Sequence, residues 1–305
     1  MFKIQRELSF IKYKKIYYIV SIAIIVLGIG VGLIRGFNFG IDFTGGTMLQ
    51  LDMGREISVT EISKILKAND IEADVVHAGE SNKEVIIKTK QSLDTSAREV
   101  LLNSIFKEFN LTDDSVLTIE QFGPSVGEML KKNAIKAVLI ASLGMLIYII
   151  IRFEWKFGIA AIIGVIHDVL ILIAFYGLFH IPINNPFIAG VLTVIGYSIN
   201  DTIVVFDRIR ENLGIMKKSK IEELIDTSIN QTLVRSLMTS FTTILVIIPL
   251  FIFGGETIKQ FTLPLIVGIT SGAASSIFIA SPIYYQLCQA TGGAKYRIKK
   301  SKSKG

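Results

Sequence analysis

FIAGVLTVIGYSINDTIVVF, residues 187–206, decides how the rest of the chain is read. It is 20 residues long, enough for one α-helix to cross a bilayer, and its single charge is Asp201. A carboxylate at membrane depth is unfavourable by roughly 2.5–3.5 kcal/mol on insertion scales, so it faces a bundle interior or a water-filled path. The segment Gly196-Tyr197-Ser198-Ile199-Asn200-Asp201-Thr202 is polar for a whole turn and then apolar again. Asp201 thus has membrane-type sequence on both sides and reads as a working part. The alternative reading is a structural ion pair.

Working outward, five more apolar blocks can span: 16–34, 134–151, 157–179, 237–253 and 263–287. Half of the 305 residues are hydrophobic, and they come in these blocks rather than scattered as in a soluble core. The first block is too long, and too poor in small-residue cleavage signals, to read as a removed signal peptide. Lys136 sits at the edge of the second and must snorkel outward.

Charge sets the orientation. Residues 37–130 hold 16 acidic and 8 basic side chains, a net of −8 in a chain whose total is +6. Basic residues gather before the first block (Lys3, Arg6, Lys12, Lys14, Lys15), after the second (Arg152, Lys156), after the fourth (Arg208, Arg210, Lys217, Lys218, Lys220) and in the tail from Lys295 to Lys304. All four places share one side if six helices alternate, and the positive-inside rule makes that side cytoplasmic. Lys131, Lys132 and Lys136 run against the trend. A basic chain can also bind nucleic acid, but charge placed at membrane edges speaks for topology instead, and no nucleic-acid partner is expected. The lysine-rich tail reads as a contact to anionic lipid. One cysteine, Cys288, excludes an intrachain disulfide.

The expected organisation is a cytoplasmic segment 1–15, a first transmembrane helix 16–36, a periplasmic domain 37–130, transmembrane helices two to six within 131–290, and a basic cytoplasmic tail 291–305. Inside the periplasmic domain, 47–53 alternates like a strand and 60–68 has apolar residues at helical spacing. Short β-branched runs at 73–78 and 84–89 flank the turn at 79–82, 97–109 is helical, and 115–122 is a last strand. The order β-α-β-β-α-β is that of a ferredoxin-like split βαβ. The expected fold is an α-helical polytopic membrane protein of six transmembrane helices carrying a ferredoxin-like α+β domain. Such a domain hosts many functions and names none.

Further polar groups lie at membrane depth. His167 and Asp168 fall near the middle of the third block, where the favoured reading is a buried hydrogen-bonded pair fastening that helix to a neighbour. Asn200 and Thr202 flank Asp201. Arg235 opens the fifth block, followed by Ser236, Thr239, Ser240, Thr242 and Thr243. Because helices four and five run antiparallel, Arg235 can reach towards Asp201. Desolvation favours a protonated carboxyl and a nearby guanidinium favours the carboxylate, so a moving Arg beside an Asp suits a proton relay. The plainer reading of Arg235 is a snorkelling cytoplasmic anchor. Asp207, Arg208 and Arg210 read as interfacial topology charges. Before the domain, Gly40-Ile41-Asp42-Phe43-Thr44-Gly45-Gly46 offers Asp42 either as a turn cap or in a direct role. Glycines at 28, 32, 36 and 40, and at 268 and 272, mark close helix packing.

These residues, taken in order, resemble the SecF family: Gly40–Gly46 after helix one, His167-Asp168 in helix three, Gly196–Thr202 in helix four with the following Val204–Asn212, and the Arg235 segment ending at Phe253-Gly254-Gly255. SecF is the smaller membrane subunit of bacterial SecD–SecF translocation complexes, in the RND transporter superfamily. The resemblance covers essentially the whole chain; the double-glycine motif alone also fits SecD, but a SecD-like head domain is absent. It implies a non-enzymatic subunit that assembles with SecD in the inner membrane and uses the proton-motive force to draw polypeptide emerging from the SecYEG channel outward. It further implies Asp201 and Arg235 as proton-pathway residues, an essential intramembrane Asp from SecD, and protons and an unfolded translocating polypeptide as the things handled. YajC-like and YidC-like membrane proteins are possible further partners. No cofactor or metal site is expected, since no P-loop or metal cluster occurs. Three other readings compete: half of an RND-type small-molecule exporter, a purely structural subunit, and an intramembrane protease using Asp168 and Asp201 as a proton-sharing pair.

Overall fold

The computed structural model describes residues 8–79, 82–216 and 220–291. Lys3 and Arg6, the turn residues Glu80 and Ser81, Lys217 and Lys218, and the lysine-rich tail from 292 onward lie outside the described residues.

Among the described residues, six helices are long and apolar enough to cross a membrane. They are α1 (Lys14–Arg35), α5 (Pro124–Arg152), α6 (Trp155–Phe179), α7 (Asn185–Ile215), α8 (Ile221–Phe253) and a composite last span. The last begins as α9 (Glu256–Ser275), passes through a π-turn at Ser276–Ala280, and ends as α10 (Ser281–Ala290). Several helices outrun their apolar blocks. The α8 helix starts at Ile221 rather than at 237, so Arg235 lies well inside it instead of at its beginning. Hydropathy reports only the part of a helix matched to lipid, whereas backbone hydrogen bonding carries the helix on into water.

Three of the spans form the interior. Half or more of the apolar window is buried in α6, α7 and the α9–α10 span, against less than a fifth in α1, α5 and α8. Close approach between α1 and α6 depends on two glycines. A Cβ on Gly28 would collide with the backbone of Ala174, and one on Gly32 would meet Phe37 and Gly177. The four-glycine packing face expected from the sequence stops there. Gly36, at φ 79°, ends α1 with open space around it, and Gly40 packs against the loop at Ile183 and Asn184. Gly268 and Gly272 let α9 approach Val194 and Ser198 of α7.

Between α1 and α5 stands the soluble domain. A short α2 (Ile41–Thr44) leads into β1 (Gly46–Asp52), α3 (Val59–Ala68), β2 (Ala73–Ala78), β3 (Glu84–Thr89), α4 (Thr95–Phe109) and β4 (Val116–Phe122). The sheet order is β2-β3-β1-β4 with every pair antiparallel, the ferredoxin-like arrangement. Leu49, Leu51, Val85 and Ile87 point from one sheet face into Ile62 and Leu66 of α3 and Leu101 and Ile105 of α4, all fully buried or nearly so. Ser58 and Asp94 cap the two helices by accepting from Thr60 N and Ala97 N.

The domain is stitched to the helix bundle around the loop before α7. Gly40 N donates to Ile183 O at 2.7 Å, and Phe39 forms a β-bridge with Ile183. Asp42 neither caps its own turn nor faces the membrane interior: its Oδ2 accepts from Asn185 N at 2.8 Å, at the start of α7. A carboxylate there satisfies one of the free N–H groups of the helix and complements its dipole. On the sheet, Lys88 Nζ reaches Gln260 of α9, and Asn184 donates to the same Gln260 oxygen at 2.6 Å.

Glycine positions on α1 provide a direct test of this packing. Gly28→Leu should lower thermal stability in detergent, since overpacking costs on the order of 1–3 kcal/mol. Gly30→Leu, whose Cβ has nothing within 4 Å, should be close to silent. Equal melting of the two variants would mean that α1 does not seat on α6.

Candidate functional site

The two buried aspartates sit in the interior trio and are bonded very differently. Asp168, on α6, is fully buried. Its Oδ2 accepts from Ser198 Oγ at 2.5 Å and Ser275 Oγ at 2.8 Å; its Oδ1 accepts from Ser271 Oγ at 2.8 Å and lies 3.1 Å from His167 Nδ1. A carboxylate offers about four lone-pair sites, and all four are taken. Ser198 comes from α7, and Ser271 and Ser275 come from successive turns of α9. One carboxylate therefore pins three helices together. His167 Nε2 is buried without a hydrogen-bond partner.

Asp201, on α7, is 4% exposed and accepts one hydrogen bond, from Ser276 Oγ at 2.9 Å. Across from it on α8 are Ser236 and Arg235, both near enough to act on the carboxylate. Asp201 and Arg235 each lie 14 residues from the α7–α8 loop end of their helices, about 21 Å along each axis, so the two stand at one depth. No hydrogen bond or ion pair joins them; the Arg235 side chain is exposed on the outer surface of the bundle.

The π-turn begins where the last span passes from the surroundings of Asp168 to those of Asp201. Pro282 has no N–H to give to the carbonyl four residues back, at Phe278, and the helix widens before it. Ser281 Oγ compensates by donating to Ser276 O at 2.7 Å. At the entrance to the widened turn, Ser275 faces Asp168 and Ser276 faces Asp201.

Hydroxyls continue from Asp201 along the α7–α8 seam. Tyr197, one turn towards the soluble domain, has its hydroxyl 3.5 Å from Ser240 Oγ and 3.3 Å from Thr243 Oγ1. Thr202 is buried and donates to Ser198 O, holding the helix rather than a carboxylate. Asn200 is exposed and makes no hydrogen bond, so it stands apart from both aspartates. Near the loop end, Arg208 and Arg210 pair with Glu211 and Asp207, and Arg208 also donates to Gln231. Sequence reading missed Ser271, Ser275 and Ser276. The i, i+4 spacing of Ser271 and Ser275 in an otherwise apolar helix was the available signal.

Two matches to family descriptions cover most of the chain: "Protein export membrane protein SecD/SecF, C-terminal" over residues 102–290, and "SecD/SecF GG Motif" over residues 31–54. The chain is 38% identical over 279 residues to protein translocase subunit SecF of Haemophilus influenzae, covering 92% of this chain and 86% of that protein. It is 42% identical over 271 residues to the protein of the same name from Desulfurispirillum indicum, covering 86% and 84%. The fold is similar to a crystal structure of SecDF, a translocon-associated membrane protein from Thermus thermophilus, with a TM-score of 0.82 at 36% identity. That match covers 94% of this chain and 39% of the other, so the chain spans about two fifths of the solved SecDF.

The unequal bonding of the two aspartates has a measurable consequence. Asp168→Ala removes the acceptor shared by Ser198, Ser271 and Ser275, whereas Asp201→Ala removes that of Ser276 alone. Ser275 and Ser276 keep backbone acceptors at Gly272 O and Ala273 O, and each lost bond to a charged group is worth about 1.5–3 kcal/mol. Thermal unfolding in detergent should therefore drop much further for Asp168→Ala; a larger drop for Asp201→Ala would contradict the network.

Proposed function

The chain belongs to the SecD/SecF family of protein export membrane proteins, and we propose that it is the SecF subunit of a translocase, coupling proton flow to polypeptide export. It is a multi-pass membrane protein with a role in protein export. On the proposed reading it lies in the bacterial inner membrane with both termini cytoplasmic and the ferredoxin-like domain periplasmic. SecD is its direct partner, and the pair works beside SecYEG, with YajC-like and YidC-like proteins as accessory neighbours.

The observation that carries the reading is the contrast between Asp168 and Asp201. Asp168 accepts from Ser198, Ser271 and Ser275 and holds three helices together, which supports a structural role. Asp201 is nearly as buried but is held by fewer donors, Ser276 of α9 with Ser236 of α8 beside it. It has open lone pairs and can take up or release a proton without dismantling the bundle. Ser236, Ser240, Thr243 and Tyr197 offer hydroxyls that both donate and accept, which is what passing a proton along the α7–α8 seam requires.

Arg235 supplies the electrostatic lever. An exposed guanidinium at this depth is costly in lipid, so a polar or acidic group of SecD covers it in the working complex. Movement of SecD against α8 then changes how strongly Arg235 acts on Asp201, and the carboxyl gains or loses its proton.

Asp201→Asn keeps the shape but cannot ionise. It should leave assembly with SecD intact and abolish the proton-dependent part of precursor export; normal export by this variant would sink the relay. Arg235→Lys should impair export measurably and Arg235→Ala more so, at unchanged subunit abundance, because a lysine lacks the planar fork and can deprotonate when desolvated. Wild-type export by Arg235→Ala would remove Arg235 from the mechanism. For orientation, in a Cys288→Ser background, Glu108→Cys should react with an impermeant thiol reagent in intact cells and Lys220→Cys should not; the reverse pattern would invert the topology.

A further inference from the structure

Lys131, Lys132 and Lys136 lie towards the soluble-domain end of α5 and run against the charge asymmetry of the chain. Lys132 has a local partner, Glu128, at 2.8 Å on the exposed helix surface. Lys131 is placed differently. Its Nζ lies 4.9 Å from the ring centre of Phe39, at the edge of a groove of about 380 Å³ bounded by α5, α6, α7 and the 37–43 segment. Apart from Lys131, the groove is lined only by apolar side chains, Phe43, Val138, Leu139, Ile173 and Phe187 among them.

We propose that this groove is a binding site for an anionic phospholipid of the leaflet on the soluble-domain side, one acyl chain lying in the groove and the phosphate held by Lys131. The depth of the groove supports this occupant. It begins at the level of the Phe39–Ile183 bridge, where the segment after α1 meets the loop between α6 and α7, and follows α5 from Lys131 to Leu139, about 12 Å at 1.5 Å per residue. Charge is thus at headgroup level and the apolar wall below it, the order found in a phospholipid. The volume falls in the range of ligand pockets, roughly 300–1,000 Å³, and a wholly apolar wall has nothing to offer a polar solute. A lysine ammonium is a compact charge that meets a phosphate from any direction. A partner helix seated there would bury Lys131 and must bring an acid for it. The α5 helix is the span least covered by the rest of this chain, with 6% of its most apolar stretch buried, so the chain itself leaves the groove open on that side. The inference is independent of the proton-relay reading.

The test uses the full-length chain purified in detergent, with phosphatidylglycerol and phosphatidylcholine of identical acyl chains as probes, and bound lipid counted by native mass spectrometry. Wild type should retain one phosphatidylglycerol, about fivefold in preference to phosphatidylcholine. Lys131→Gln should retain both probes equally, at the lower level. Lys132→Gln should behave as wild type. Val138→Trp, which fills the groove, should lose both lipids, and Ala134→Leu serves where Val138→Trp does not elute as a single species. Equal retention of the two probes by wild type, or undiminished retention by the groove-filling variants, overturns the proposal. So does a photoreactive side chain at position 138 that, in the complex with SecD, crosslinks to protein rather than to lipid.

Discussion

The carboxylate of Asp168 is the fixed point of the membrane domain. In lipid, helices gain little from apolar contact with one another, because acyl chains are as apolar as leucine. Specific packing therefore rests on small residues and on interhelical hydrogen bonds. Asp168 gathers hydroxyls from α7 and α9 onto α6 at a single level, and Gly272, beside Ser198, lets α9 come close enough for them to meet. With these three helices pinned there, α1, α5 and α8 can pack outside them and remain mostly bare to lipid or to partners.

That fixed point leaves the neighbouring acid adjustable. Ser275 and Ser276 are consecutive, yet one serves the pinned carboxylate and the other the sparsely bonded one. A regular α-helix turns about 100° per residue, so adjacent residues never share a direction. What the π-turn adds is width: an extra residue accommodated beside Asp201 in a segment that a proline already prevents from closing fully. On the proposed reading, a change in the bond to Ser276 is felt first in this weakened turn, while the bonds of Ser271 and Ser275 to Asp168 hold the rest of α9 still.

Much of this architecture is legible in the sequence. Strands β2 and β3 keep the bounds that their β-branched runs imply, and the order of the small domain follows from alternation and turn residues. Six spans follow from apolar block length. The extents of α7 and α8 do not, since their polar ends are helical for backbone reasons to which hydropathy is blind, and Arg235 was placed at a helix start for that cause. His167 and Asp168 are adjacent in the chain, so their contact could be foreseen. The serines that complete the cluster lie over 100 residues from Asp168 in α9, and only the fold brings them to it. Asn200 misled for the opposite reason: next to Asp201 in sequence, it is turned by one helical step to the outer surface. Asp42 looked local and proved to cap a helix 143 residues away.

The Asp42 cap bears on how the soluble domain is connected to the acid in the membrane. It joins the linker before β1 to the first turn of α7, the helix that carries Asp201. Lys88 and Asn184 meet at Gln260, joining strand β3 and the N-cap of α7 to α9, the helix that continues into Ser276. Two of the helices around Asp201, α7 and α9, are therefore tied to the domain at these ends. A tilt of the sheet acts on α7 and α9 together through short polar contacts, while Asp168 resists their sliding past each other below. Asp201 and the π-turn lie on these same two helices, on the far side of the Asp168 clasp from the domain.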